Sequence, residues 1–144
     1  MWSSTRRKLL RRLHDRLTRT AGCKNVRYKP SRIDANEVVA DIDPEVILER
    51  GYSTGTARLR VEFVLQGSQP QYWIQWWETG TGRSVGWHQD ETEPTYGPVH
   101  VQIDDDDGTT ERREGVHVQD EHPYRTFERR LSQIRDVIED IGWE

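Results

Sequence analysis

The chain has 144 residues, 33% of them hydrophobic, and a formal net charge of −4 at pH 7. That length suits one hydrophobic core, because two would each bury too little apolar surface. No apolar run approaches the ~20 residues that span a bilayer, the first 22 residues are too basic and too interrupted for a secretory signal, and a single cysteine forms no internal disulfide; a cytoplasmic protein with no membrane contact is expected.

Mean hydropathy is −0.95, so the core must lean on large side chains, which six Trp, five Tyr and two Phe supply. Charge is unevenly spread. Residues 1–32 hold eleven Lys or Arg against the lone Asp15, a net of +10, and the remainder carries −14.

From Ser4 as N-cap, Leu9, Leu10, Leu13 and Leu17 recur at helical spacing among Arg7, Arg11, Arg12, Arg16 and Arg19, and Gly22 is placed to end the helix. Cys23 reads as a small residue just past it. Residues 23–35, with Pro30 and no periodicity, read as an extended connection that prolongs the positive arm through Lys24, Arg27, Lys29 and Arg32.

A short strand is expected over 37–42, then a helix of one or two turns over 44–50, with Asp43 as N-cap, Pro44 at N1 and Gly51 beyond its end. In 57–65, Ala57, Leu59, Val61, Phe63 and Leu65 alternate with Arg58, Arg60 and Glu62, the period of a strand with one face on the core. After a turn at 66–70, the strand 71–78 sets Tyr72, Ile74 and Trp76 against Trp73, Gln75 and Trp77. Thr79-Gly80-Thr81-Gly82 joins two strands, which makes it a hairpin turn rather than a dinucleotide loop, and 84–89 pairs back.

Residues 90–98 read as a loop and 99–103 as a strand alternating Val99, Val101 and Ile103 with His100 and Gln102. Asp104-Asp105-Asp106-Asp107-Gly108 is a solvated turn without calcium-loop spacing, and a last strand is expected over 111–118. Pro123 opens a final helix whose Tyr124, Phe127, Leu131, Ile134, Val137, Ile138 and Ile141 form an apolar stripe, stopped by Gly142. The expected fold is α+β: a mainly antiparallel, meander-like sheet of five or six strands flanked by a basic N-terminal helix and an amphipathic C-terminal one. One domain is expected over 1–144, with 1–32 a basic helical arm and 123–142 a packing helix.

Phosphate-loop, nucleophile-elbow, zinc-protease and paired-cysteine motifs are absent, so no cofactor or metal is expected. Strand parity instead sets His100 and His117 opposite their flanking valines, on a sheet face shared with Arg58, Arg60, Trp73, Gln75 and Trp77, with His88 assigned there more loosely. Trp faces can stack unpaired bases, Arg can neutralise phosphate, and a His can move the proton of a ribose 2′-hydroxyl. The plainer alternative is that Trp73 and Trp77 lie under a terminal helix. The arm is open to two readings as well: its guanidiniums, Arg11 and Arg12 among them, meet nucleic-acid phosphate, or they dock on the chain's own acidic surface.

From Ala57 onward the order of features resembles the TumE family of toxin–antitoxin proteins, through Tyr72-Trp73-Ile74-Gln75-Trp76, Gly86-Trp87-His88-Gln89-Asp90 and Pro98-Val99-His100-Val101. The resemblance implies a small toxin acting on RNA, of ribonuclease type, held in check by a cognate antitoxin protein. On that reading Arg58 and Arg60 hold phosphate, Trp73 or Trp77 stacks a base, and His88 or His100 with Asp90 handles protons; Arg11 and Arg12, on the arm outside the resemblance, are further candidate nucleic-acid contacts. The rival expectation is a non-catalytic protein-interaction or nucleic-acid-binding module, whose exposed Trp face could close in a homodimer.

Overall fold

The computed structural model describes residues 2–33, 35–64, 71–89, 99–114 and 122–144. In chain order its elements are α1 (Trp2–Thr18), β1 (Cys23–Pro30), β2 (Ala35–Ile42), α2 (Pro44–Leu48), β3 (Ala57–Val64), β4 (Gln71–Glu78), β5 (Ser84–Gln89), β6 (His100–Asp104), β7 (Thr110–Glu114) and α3 (Pro123–Ile141). The seven strands form one sheet in the order β1-β2-β3-β4-β5-β6-β7, and every neighbouring pair is antiparallel. The α+β meander is as expected, with seven strands rather than five or six.

The additional strand is β1, in the segment expected to be an irregular connection. It pairs only with β2, its register shifts between Lys24 and Arg27 and again at Lys29–Pro30, and Asn25 sits at a positive φ of 50°. An edge strand with a bulge and a terminal proline needs no clean alternation, because one side of its ladder faces no partner. Periodicity therefore carried no trace of it.

Alternation places Val38, Ala40, Ile42, Leu59, Val61, Phe63, Tyr72, Ile74, Trp76, Val85, Trp87 and Ile103 in one buried cluster, which Leu9, Leu10, Leu13 and Leu17 of α1 and Phe127, Ile134 and Ile138 of α3 complete. The two long helices thus share the inner face of the sheet. Each buried leucine contributes roughly 1.5–3 kcal/mol, enough to dock so basic a helix. The α3 stripe also carries Arg130, which is 1% exposed and donates to the Tyr72 hydroxyl through Nε at 3.3 Å and Nη2 at 3.2 Å.

Several boundaries differ from expectation. Helix α1 begins at Trp2, ahead of Ser4, and ends at Thr18; Gly22 instead closes the turn into β1 at φ 90°, where a Cβ would sit 3.0 Å from Ile47 Cγ1. Helix α2 ends at Leu48 with Glu49 in the left-handed region, and Asp43, though at the N-cap position, makes no side-chain cap bond. Helix α3 follows its signals: His122 accepts from Tyr124 N–H as N-cap, Pro123 is at N1 and Gly142 is left-handed at the C-cap. The expected turn at 66–70, the loop at 90–98 and the 115–118 end of the last strand lie outside the described residues. Among the described residues no helix is long and apolar enough to cross a membrane.

Candidate nucleic-acid interface

Cross-strand register, not sequence proximity, builds the outer face, since directly paired residues point to the same side of a sheet. One row across the strands reads Glu37, Glu62, Trp73, His88, His100, Glu114; a second reads Val39, Arg60, Gln75, Gly86, Gln102, Arg112; a third reads Asp41, Arg58, Trp77, Ser84, Asp104, Thr110. Six expected residues, Arg58, Arg60, Trp73, Trp77, His88 and His100, therefore share one face. Both long helices pack on the other. It is Trp76 and Trp87, at inward parity, that lie in the core, and Trp77 keeps 38% of its surface exposed.

His88 and His100 are direct partners, with ring centroids 5.0 Å apart and planes at 70°. His100 is 1% exposed and His88 is half-buried, so the imidazole nearer solvent is His88. Asp90 and His117 lie outside the described residues. In the same row burial, reinforced by Glu37, pushes the Glu62 carboxyl up against the opposing pull of Arg60 and Arg6.

Both arginines are held by carboxylates of β2. Arg60 Nη2 reaches both oxygens of Glu37 at 3.1 and 3.0 Å, and Arg58 Nε lies 3.5 Å from Asp41 with its guanidinium 5.8 Å from the Trp77 ring centre. Their side chains remain 53% and 44% exposed, and ion pairs so exposed are worth under about 1 kcal/mol. A phosphate could compete for either guanidinium. Beyond Trp77, burial would raise the Asp104 carboxyl, but hydrogen bonds from Thr110, Gln102 and Ser84 outweigh it and hold the group below the usual range.

Arg11 and Arg12 stand elsewhere, on α1 at the helix side of the sheet. They also divide from each other. Arg12 lies 4.0 Å over the Tyr124 ring, with Nη1 3.5 Å from His122 Nε2, while Arg11 lines a cleft between α1 and β1. The expected nucleic-acid contacts accordingly fall into three places: the outer face, the α1–α3 contact and the α1–β1 cleft. Among the described residues no three His, Cys, Asp or Glu side chains gather as a metal site.

One polar centre escaped the sequence reading. Glu78, fully buried, ends β4 at inward parity, and its carboxylate accepts from Tyr52, Trp76 Nε1 (3.2 Å), Thr54 (3.2 Å), Thr81 (2.9 Å) and Arg83 Nε (2.8 Å). Burial would raise this carboxyl, but the bonds from Tyr52, Arg83, Thr81 and Trp76 hold it below the ordinary range. Arg83 in turn lies over the Trp143 ring at 4.5 Å. The cluster ties the β4–β5 hairpin to the 50–56 segment and the C-terminus; parity marked Glu78 as inward, but nothing local in the sequence named its partners.

Protein-family models, curated proteins and solved structures give no match to this chain.

Proposed function

We propose that this chain is a small toxin-like protein acting on RNA, which it binds as a single strand across the outer face of the sheet. The observation carrying this reading is the register that aligns Trp73, His88 and His100 beside Arg58 stacked on Trp77, on the face opposite both long helices. Aromatic planes accept bases of any sequence, and neighbouring guanidiniums take the phosphates between them. Arg58 and Arg60 exchange their weak β2 carboxylate pairs for phosphate, and Trp77 stacks a base.

Strand cleavage would follow when the 2′ oxygen attacks phosphorus and the bond to the 5′ oxygen breaks. One group removes the 2′ proton and a second gives a proton to the departing 5′ oxygen. His88, nearer solvent, takes the first role; its cross-strand partner His100, or Asp90, supplies the second. A cognate antitoxin would act by covering this same face.

A second reading, RNA binding without cleavage, is favoured by the burial of His100 at 1% exposure, which keeps that imidazole from direct contact with substrate.

The test is ultraviolet cross-linking of 4-thiouridine-substituted single-stranded RNA, with adducts located by mass spectrometry. Adducts on the peptide bearing Trp73 and Trp77 are expected. Adducts confined to other peptides would overturn the assignment of the outer face.

A further inference from the structure

A cleft of about 910 Å³ opens between α1 and the edge strand β1, and among the described residues five arginines line it: Arg6, Arg7, Arg11, Arg27 and Arg32. Among the described residues the only acid in its lining is Asp15. So many guanidiniums around one cleft repel one another unless an anion sits among them.

The helix sorts its cations by direction. Those turned toward α3 are matched within the chain: Arg12 lies over Tyr124, and Arg16 Nε is 3.5 Å from Glu128. Of the five in the cleft, Arg27 is matched, by Asp41 at 3.2 Å and the Asn25 carbonyl at 2.7 Å. Arg6, Arg7, Arg11 and Arg32 form no salt bridge among the described residues. Arg6 Nε is in addition buried without a hydrogen-bond acceptor. Internal docking thus pairs the α3-facing cations of α1, whereas Arg7 and Arg11 form no salt bridge among the described residues and Arg6 acts only at longer range on the Glu62 carboxyl.

The same cleft holds a fixed aromatic pair. His14 and Tyr28 stack with centroids 4.7 Å apart at 17°, and His14 Nε2 lies 3.1 Å from the Val26 carbonyl, which it can reach as a donor. Every cation lining the cleft is Arg, whose planar fork matches phosphate oxygens in pairs, where Lys offers a point charge. The volume lies near the upper end of the roughly 300–1,000 Å³ typical of small-ligand sites.

We propose that this cleft binds a nucleoside 5′-phosphate, either free or as the phosphorylated end of an RNA strand, with Arg7, Arg11 and Arg32 on the phosphate and the base laid against the His14–Tyr28 stack. The site uses none of Arg58, Arg60, Trp73, Trp77, His88 and His100 and does not depend on that reading. Arg7 and Arg11 are exposed on a well-packed helix, so Arg7→Gln/Arg11→Gln leaves the leucine stripe and the fold in place, which circular dichroism verifies.

The experiment measures binding of uridine 5′-monophosphate by calorimetry, and compares 5′-phosphorylated with 5′-hydroxyl decamers of one RNA sequence by fluorescence anisotropy. Preference for the phosphorylated decamer by about tenfold or more, the worth of one charge-assisted hydrogen-bond pair, assigns the RNA end. Mononucleotide binding without that preference assigns the free nucleotide. In either case the double variant must abolish the effect while Trp77→Ala leaves it unchanged. Neither mononucleotide binding nor a 5′-phosphate preference, or a preference that survives the double variant, overturns the proposal; RNA binding lost in Trp77→Ala alone would bear on the outer face only.

Discussion

His88 and His100 face each other across β5 and β6, ring centroids 5.0 Å apart, with His100 almost wholly buried and His88 the more accessible. The pair is asymmetric. On the cleavage reading, His88→Ala removes the proton acceptor and leaves packing intact. Cleavage of a single-stranded RNA should fall about 10²–10⁴-fold with the thermal transition little moved. Cleavage at the wild-type rate would take His88 out of the chemistry.

Trp77 is the exposed aromatic of the outer face, and Trp76, one residue before it, is in the core. Trp77→Ala should weaken single-stranded RNA binding by about 1–3 kcal/mol, the range for one stacked base, and cost under about 1 kcal/mol of stability through lost cross-strand contact. Trp76→Ala should do the reverse, lowering stability by about 3–5 kcal/mol. Paired binding and denaturant titrations on the two variants separate the faces.

Buried Glu78, bonded to Arg83 Nε at 2.8 Å, makes stability depend on pH in a defined direction. Its folded pKa is depressed below the ordinary value of 4.5, so its contribution is full above that value and is lost as pH falls through the folded pKa. Urea unfolding of Glu78→Gln should show a shallower loss of stability than wild type as pH drops from neutrality to acid. Glu78→Ala, which strands Arg83, should cost about 3–5 kcal/mol at neutral pH. Equal acid slopes in Glu78→Gln and wild type would contradict the charged, hydrogen-bonded state.

Gly86 lies opposite Gln75, and a Cβ on it would stand 2.5 Å from the Ile74 carbonyl oxygen and 2.8 Å from Gln75 Cα. Both obstacles are backbone. Gly86→Ala should therefore destabilise by about 1–3 kcal/mol by forcing β4 and β5 apart, whereas Gly80→Ala, in the open turn where a Cβ meets nothing within 4 Å, should be close to neutral. Thermal unfolding of the two variants reads the difference.

Much of the fold was legible because it rests on parity and punctuation. The alternation in β3 and β4 set Trp76 on the opposite face from Trp73 and Trp77 but left open which face the helices cover, and Pro123 and Gly142 bracketed α3. Strand β1 was illegible, since an irregular edge strand carries no period. Parity also brought Arg58, Arg60, Trp73, His88 and His100 to one side. It was silent on what each would touch: Glu37 and Asp41, which hold the two arginines, are partners chosen by register between β2 and β3. Likewise Arg11 and Arg12 are adjacent in sequence and indistinguishable by charge, yet α3 claims one and the α1–β1 cleft the other.

The most direct test of the central claim, that the outer face binds single-stranded RNA, is fluorescence anisotropy of a labelled oligoribonucleotide at several salt concentrations, with wild type beside Arg58→Gln/Trp77→Ala. Binding that weakens steeply with salt, as released counterions require, and that falls at least about tenfold in the variant at every salt concentration, is the predicted result. No binding at low salt, or wild-type binding by the variant, would contradict the account.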